Sequence, residues 1–197
     1  MKQFTQQLSK FDPITGVVEG APPAIERRLS DLKGVFADEL AYEAALAEED
    51  SLVYSTYCVA PEQGDGAMLY CIGKFMPGRI GAEYYMTKGH IHARPETAEF
   101  YFGLRGQGVM LLEDEASGDS QLLPLLPNGA IYVPRHTAHR TMNTGEVPLT
   151  YLSVVLADAG HDYEVIAARG NFRKVVVDLD GQPTMLDRAG FLESLSR

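Results

Sequence analysis

Tryptophan is absent from this chain of 197 residues, and cysteine occurs only twice, as Cys58 and Cys71. Two thiols cannot build a cysteine-based zinc site or the disulfide framework of a small secreted domain. Each sits in an apolar, aromatic-rich stretch and reads as a buried core thiol, with no disulfide expected between them. Positive charge is scarce as well: 17 Lys and Arg face 27 Asp and Glu, for a net charge of −10. A surface of that sign repels a phosphate backbone, so a nucleic-acid partner is excluded, whereas a small phosphorylated molecule needs only local donors. No run approaches the ~18 to 20 consecutive apolar residues of a bilayer span. The N-terminus, Met1-Lys2-Gln3-Phe4-Thr5-Gln6-Gln7, lacks the apolar core of a secretory signal. The expectation is a cytoplasmic protein with no membrane partner.

What is present is a hydrophobic content of 45%, enough to build a core. Residues up to Gly20 read as an irregular arm with a turn at Asp12-Pro13 and a short extended piece at Gly16-Val17-Val18. Asp38 reads as the N-cap of one helix through Leu40, Ala41, Ala44, Ala45, Leu46 and Ala47. Its terminal acids, Glu48-Glu49-Asp50, oppose the helix dipole, so the helix is expected to stop before them. From Leu52 onward, short stretches rich in Val, Tyr, Phe and Ile alternate with Gly, Pro and Asp turns. The expected strands are Leu52 to Val59, Met68 to Met76, Ala82 to Thr87, Glu99 to Leu104, Gly108 to Glu113, Ala130 to Val133 and Leu149 to Leu156. Lys174 to Asp178 and Thr184 to Leu186 flank Asp180-Gly181 as a hairpin, followed by a short helix. The pattern predicts an all-β sandwich or barrel in a single domain. Its parts are an N-terminal arm and helix (1–50), a barrel (51–170), and a C-terminal hairpin and short helix (171–197).

Four of the five histidines fall in two clusters. In Gly89-His90-Ile91-His92, the two histidines are two apart, which on a strand points both imidazoles to one face. With a carboxylate from the next strand they make a corner for a divalent metal; a lone His-x-His pair would more often be structural. The second cluster runs from Pro134 to Asn143 and contains His136 and His139. Together these segments resemble the two motifs of the cupin superfamily, a jelly-roll or double-stranded β-helix barrel. His90, His92, Glu99 and Gly106 match the first motif, and Pro134, His139 and Asn143 match the second. Tyr84 stands in place of the first motif's leading glycine, and His136 in place of a glycine before the ligand histidine. Glu96 also fits the usual spacing, but it follows Pro95 in the turn between strands. Glu99 opens the next strand on one face with Tyr101, so Glu99 is preferred. His136 reads as a neighbour of the site.

A closer resemblance lies in Thr87-Lys88-Gly89-His90-Ile91-His92-Ala93, Ala98-Glu99-Phe100-Tyr101, Tyr132-Val133-Pro134 and Ala159-Gly160-His161-Asp162-Tyr163. These runs are similar to the cupin-type glucose-6-phosphate isomerases over roughly residues 16–178. The resemblance implies interconversion of glucose 6-phosphate and fructose 6-phosphate by a homodimer. It also implies one divalent ion per subunit, iron(II) first, with manganese, nickel, cobalt or zinc compatible with the same ligands. It places His90, His92, Glu99 and His139 on the metal. It implies Tyr54, Thr87, Gly89, Tyr101, His161 and Tyr163 as the sugar-phosphate pocket; Lys88 joins as a candidate substrate donor beside His90. Family members tend to carry a threonine and a tyrosine where this chain has Gly73 and Val155.

The chemistry asks for these residue types. Aldose–ketose isomerisation moves hydrogen between C2 and C1, and negative charge grows on the neighbouring oxygens, which a divalent ion stabilises. Glu99 is the nearest candidate for the proton transfer, with Tyr101 and His161 beside it; a hydride shift is the alternative. Two other functions use the same ligands: an iron cupin dioxygenase and a non-catalytic sugar-phosphate-binding cupin. Neither accounts for Thr87-Lys88-Gly89 or Gly160-His161-Asp162-Tyr163.

Overall fold

In a computed structural model that describes residues 9–20 and 23–196, the β-branched and aromatic runs become strands. They are β1 (Ile25–Arg28), β2 (Leu52–Val59), β3 (Met68–Phe75), β4 (Arg79–Ile80), β5 (Glu83–Tyr84), β6 (Glu99–Arg105) and β7 (Gly108–Asp114). They continue with β8 (Ser120–Leu125), β9 (Ala130–Val133), β10 (Thr137–Asn143), β11 (Leu149–Leu156), β12 (Lys174–Leu179) and β13 (Gln182–Asp187). Helices α1 (Glu39–Glu48), α2 (Glu164–Ala168) and α3 (Arg188–Leu195) lie outside them. One antiparallel sheet has the order β1-β2-β3-β11-β6-β9, a second has β10-β7-β8, and a third has β13-β12-β5-β4. Single bridges from Met86 to Met142 and from His90 to His139 join the chain after β5 to β10, so the two smaller sheets share one connecting segment. Alternation along the strands sends Phe75, Tyr101 and Val133 of the large sheet and Met110 and Leu112 of the small one into a common core. The all-β jelly-roll barrel expected of a cupin is the observed fold.

The helix cap is as expected: the Asp38 carboxylate accepts from the Ala41 amide at 2.9 Å. Helix α1 nevertheless runs through Glu48 and ends at Glu49, because its acidic end lies in water, where the dipole is screened. The Asp180-Gly181 turn has φ of 53° and 79°, the double left-handed geometry of a two-residue hairpin. Only Glu83–Tyr84 of the strand expected from Ala82 to Thr87 is regular. That segment leaves the third sheet, where Glu83 pairs with Val177, and reaches the second at Met86.

Four strands lay outside the expected set: β1, the two-residue β4, β8 and β10. β1 is a short edge strand paired with β2, and β8 carries Pro124 at an edge, where a missing N–H is tolerated. β10 holds His139 and Asn143 of the second histidine cluster, and His136 lies in the turn before it. All seven of its residues are buried. The thiol reading of the cysteines is also overturned. Cys58 and Cys71 face each other across β2 and β3 with Cα atoms 4.1 Å apart and are joined as a disulfide. Directly opposed positions on adjacent antiparallel strands bring side chains this close, and register is invisible in composition.

Candidate metal centre

His90 sits in the connecting segment and His139 in β10, and a reciprocal pair of backbone bonds locks them together. His90 N–H donates to His139 O at 3.2 Å, and His139 N–H to His90 O at 2.9 Å. Their rings meet edge to face with centroids 4.3 Å apart. His92, two residues on, and Glu99, at the start of β6, complete the group. The four candidate ligand atoms of His90, His92, Glu99 and His139 all lie within 4.8 Å of one another.

The protonation pattern fits a cation. Nδ1 of His92 lies 3.0 Å from the Thr97 carbonyl and Nδ1 of His139 lies 3.3 Å from the Thr137 carbonyl. A carbonyl only accepts, so each Nδ1 carries the proton, and each Nε2 presents a lone pair. Both Nε2 atoms point at Glu99 Oε2, at 3.2 and 3.1 Å. Lone pairs directed at a buried carboxylate are satisfied by a positive charge between them. Nε2 of His90 is buried with no hydrogen-bond partner among the described residues. Burial first, then the three neighbouring imidazoles, hold its pKa well below the ordinary histidine value, so it too offers a lone pair. Burial pushes the Glu99 pKa up, but the facing His139 and His92 imidazoles outweigh it and bring it to about 2, so Glu99 is a carboxylate. The donor set of three imidazoles and one carboxylate suits a first-row divalent ion.

A cavity opens from this cluster into the barrel. Its wall includes His90, Glu99 and His139, with Tyr54, Thr87, Tyr101, His161 and Tyr163. The Tyr101 ring is 5.9 Å from that of His139, and the His161 ring is 4.3 Å from that of His90. Tyr163 stacks on His161 at 5.9 Å. Burial pushes Tyr54 up to about 12 and lifts Tyr101 and Tyr163, so all three hydroxyls are protonated donors. Burial lowers the His161 pKa, which keeps that ring neutral. Thr87 Oγ1 accepts from the Thr141 amide at 3.2 Å, tying the segment to β10.

Two candidates point elsewhere. Lys88 and Gly89 line a neighbouring groove with Lys33 and Asn171, and the Lys88 ammonium lies 5.7 Å over the Tyr163 ring. Glu96 and His136 form an exposed pair at 2.8 Å, apart from the cluster. Arg94 pairs with Asp158 at 2.6 Å. Arg140 does not pair with an acid among the described residues. It donates to the Lys88 carbonyl at 2.6 Å and to Asn171 Oδ1 at 2.9 Å, and lies 4.5 Å over the Phe172 ring.

The cavity wall also contains groups that the residue patterns did not single out: Thr56, Cys58, Cys71, Thr141, Tyr151 and Ser153. Thr141 could have been found from strand alternation two residues beyond His139. The others depend on which strands become neighbours. Among the described residues, no lysine or arginine lines this cavity.

A family model of glucose-6-phosphate isomerase matches residues 26–187. The chain is 43% identical over 183 residues to the glucose-6-phosphate isomerase of Thermococcus kodakarensis, covering 93% of this chain and 95% of that one. It is 42% identical over 178 residues to the enzyme of the same name from Pyrococcus abyssi, covering 90% and 93%. Oxalate decarboxylase from Bacillus subtilis overlaps 56% of this chain and 27% of its own at a TM-score of 0.44 and 20% identity.

Proposed function

The chain belongs to the glucose-6-phosphate isomerase family, and we propose that it interconverts glucose 6-phosphate and fructose 6-phosphate. The observation that carries this reading is a buried three-histidine, one-carboxylate cluster at the head of a cavity walled by hydroxyl groups. His90, His92, Glu99 and His139 would hold a divalent ion, iron(II) by preference, which when bound would supply electrostatic stabilisation where charge develops on the sugar oxygens. The protein acts as a homodimer in the cytoplasm.

The remaining work falls to side chains of this chain. Both imidazole contacts of Glu99 fall on Oε2. Its other oxygen takes the proton from C2 of the open-chain sugar and returns it to C1, so one C–H bond breaks as another forms and no redox partner is needed. Tyr101, protonated and buried beside Glu99, donates to the oxygen on which charge grows. Neutral His161, at the side of His90, exchanges the hydroxyl proton as the carbonyl moves between carbons. Tyr54, Thr87 and Tyr163 donate to the hydroxyl and phosphate groups, and the Gly89 backbone lets the Thr87–His90 segment turn toward them. Lys88 contributes charge from the adjacent groove.

A coupled assay of fructose 6-phosphate conversion tests this on chelated protein, after adding iron(II) or manganese(II), and with His139→Ala. Activity should vanish with chelator, return with metal, and fall at least about 100-fold in the variant. Folded protein that binds metal yet turns over no sugar phosphate would refute the proposal. Oxygen uptake with small organic acids would then point to a dioxygenase, and sugar-phosphate binding without turnover to a binding protein.

A further inference from the structure

We propose that Tyr151 is a further substrate-binding residue, whose hydroxyl receives the phosphate group of the sugar phosphate in space that the missing side chain of Gly73 opens. The proposal rests on the isomerase reading above for the identity of the ligand, and on separate geometry for the residue. Strand β11 lies between β3 and β6, and its register sets Tyr151 directly opposite Gly73. A Cβ on Gly73 would lie 2.6 Å from Cζ of Tyr151 and 2.9 Å from its hydroxyl oxygen. The phenol therefore lies across the bare backbone of the neighbouring strand, in volume that any larger residue at 73 would claim.

Gly73 needs no other explanation. Its backbone is not among those with positive φ, so nothing in its conformation asks for glycine. A glycine inside a strand weakens the strand and marks a close approach by another group; here that group is Tyr151. The ring is fixed on both sides, stacked on Phe75 at 5.4 Å and packed on Tyr101 at 5.0 Å between centroids.

The position suits the phosphate. Tyr101 adjoins His139 of the metal cluster, and Tyr151 lies one aromatic ring further along the cavity. With the sugar carbonyl at the metal cluster, the far end of a six-carbon chain reaches toward Tyr151. Burial, reinforced by the Glu99 charge, lifts the Tyr151 pKa, and the hydroxyl stays a neutral donor. Since no described lysine or arginine lines the cavity, a phosphate there is held by hydroxyl donors, and Tyr151 adds one to Thr56, Thr87 and Thr141.

The test uses metal-loaded full-length protein and Tyr151→Phe, which keeps the ring and removes the donor. The Michaelis constant for fructose 6-phosphate should rise about 5- to 30-fold with kcat within about threefold, the pattern of lost substrate binding. Inhibition by inorganic phosphate should weaken in parallel, while inhibition by a phosphate-free sugar acid should not change. Gly73→Ala, which keeps the hydroxyl but forces the ring aside, should move the same constants in the same direction. It also serves as the second test should Tyr151→Phe fold poorly. An unchanged Michaelis constant and unchanged phosphate inhibition in an active variant would overturn the proposal. If the wild type turns over nothing, the isomerase reading falls, and calorimetric binding of fructose 6-phosphate to both proteins decides Tyr151. Equal binding, or no binding to the wild type, would overturn it.

Discussion

Glu96 and Glu99 lie three residues apart and have opposite environments. Glu96 follows Pro95 in a turn and pairs in solvent with His136. Glu99 begins β6, is 5% exposed, and turns one oxygen toward two imidazoles. An exposed carboxylate–imidazole pair contributes about 0–1 kcal/mol, whereas a carboxylate among buried lone pairs decides whether a cation binds at all. Glu99→Gln keeps the shape and removes the charge. It should lower metal-dependent turnover at least about 100-fold and strip the ion from purified protein, as metal analysis would read directly. Glu96→Gln should stay within about twofold of the parent in the same assays. Equal losses in the two variants would show that the carboxylate of the site had been misassigned.

At the scale of elements, the segment from Thr87 to His92 and strand β10 act as a pair. Gly89 has φ of 72°, and a Cβ there would lie 2.5 Å from the Phe172 ring and 2.9 Å from Nε of Arg140. Arg140 is buried and its pKa is lowered to about 9 by that burial; it grips the Lys88 carbonyl and so fixes the backbone immediately before His90. Gly89→Ala should therefore cost about 2–4 kcal/mol from left-handed strain and overpacking together, measurable as a lower denaturation midpoint. A Gly89→Ala variant as stable as the parent would mean that the segment yields easily. The histidines and Glu99 were legible in the residues because ligand chemistry needs particular types at short spacings. Strand β10 was not, since Thr-Ala-His-Arg-Thr-Met-Asn has the polarity of a loop, yet it is buried with His139, Arg140 and Asn143 finding partners on Glu99, Asn171 and the Phe75 carbonyl. The Cys58–Cys71 bond, and the place of Tyr151 over Gly73, were hidden for a related reason. Both follow from register between strands that the linear chain separates.

For the whole molecule, the centre links three separate parts of the fold: the connecting segment after β5, the first residue of β6, and the middle of β10. An unfolded chain holds these ligands far apart, so an ion that binds the folded cluster stabilises the entire barrel by mass action. At free metal about 100-fold above its dissociation constant the gain is about 2.7 kcal/mol, which in a domain of this size raises Tm by about 5–11 °C. Scanning calorimetry of chelated protein with and without manganese(II) should show that shift, and His139→Ala should abolish most of it while retaining a cooperative transition. The sign of the variant's own stability separates two effects. Without metal, removing the His139 ring leaves a buried cavity beside the His90 ring, 4.3 Å away, so the chelated variant should melt below the chelated parent. A metal-dependent rise of equal size in both proteins would place the ion somewhere other than this cluster.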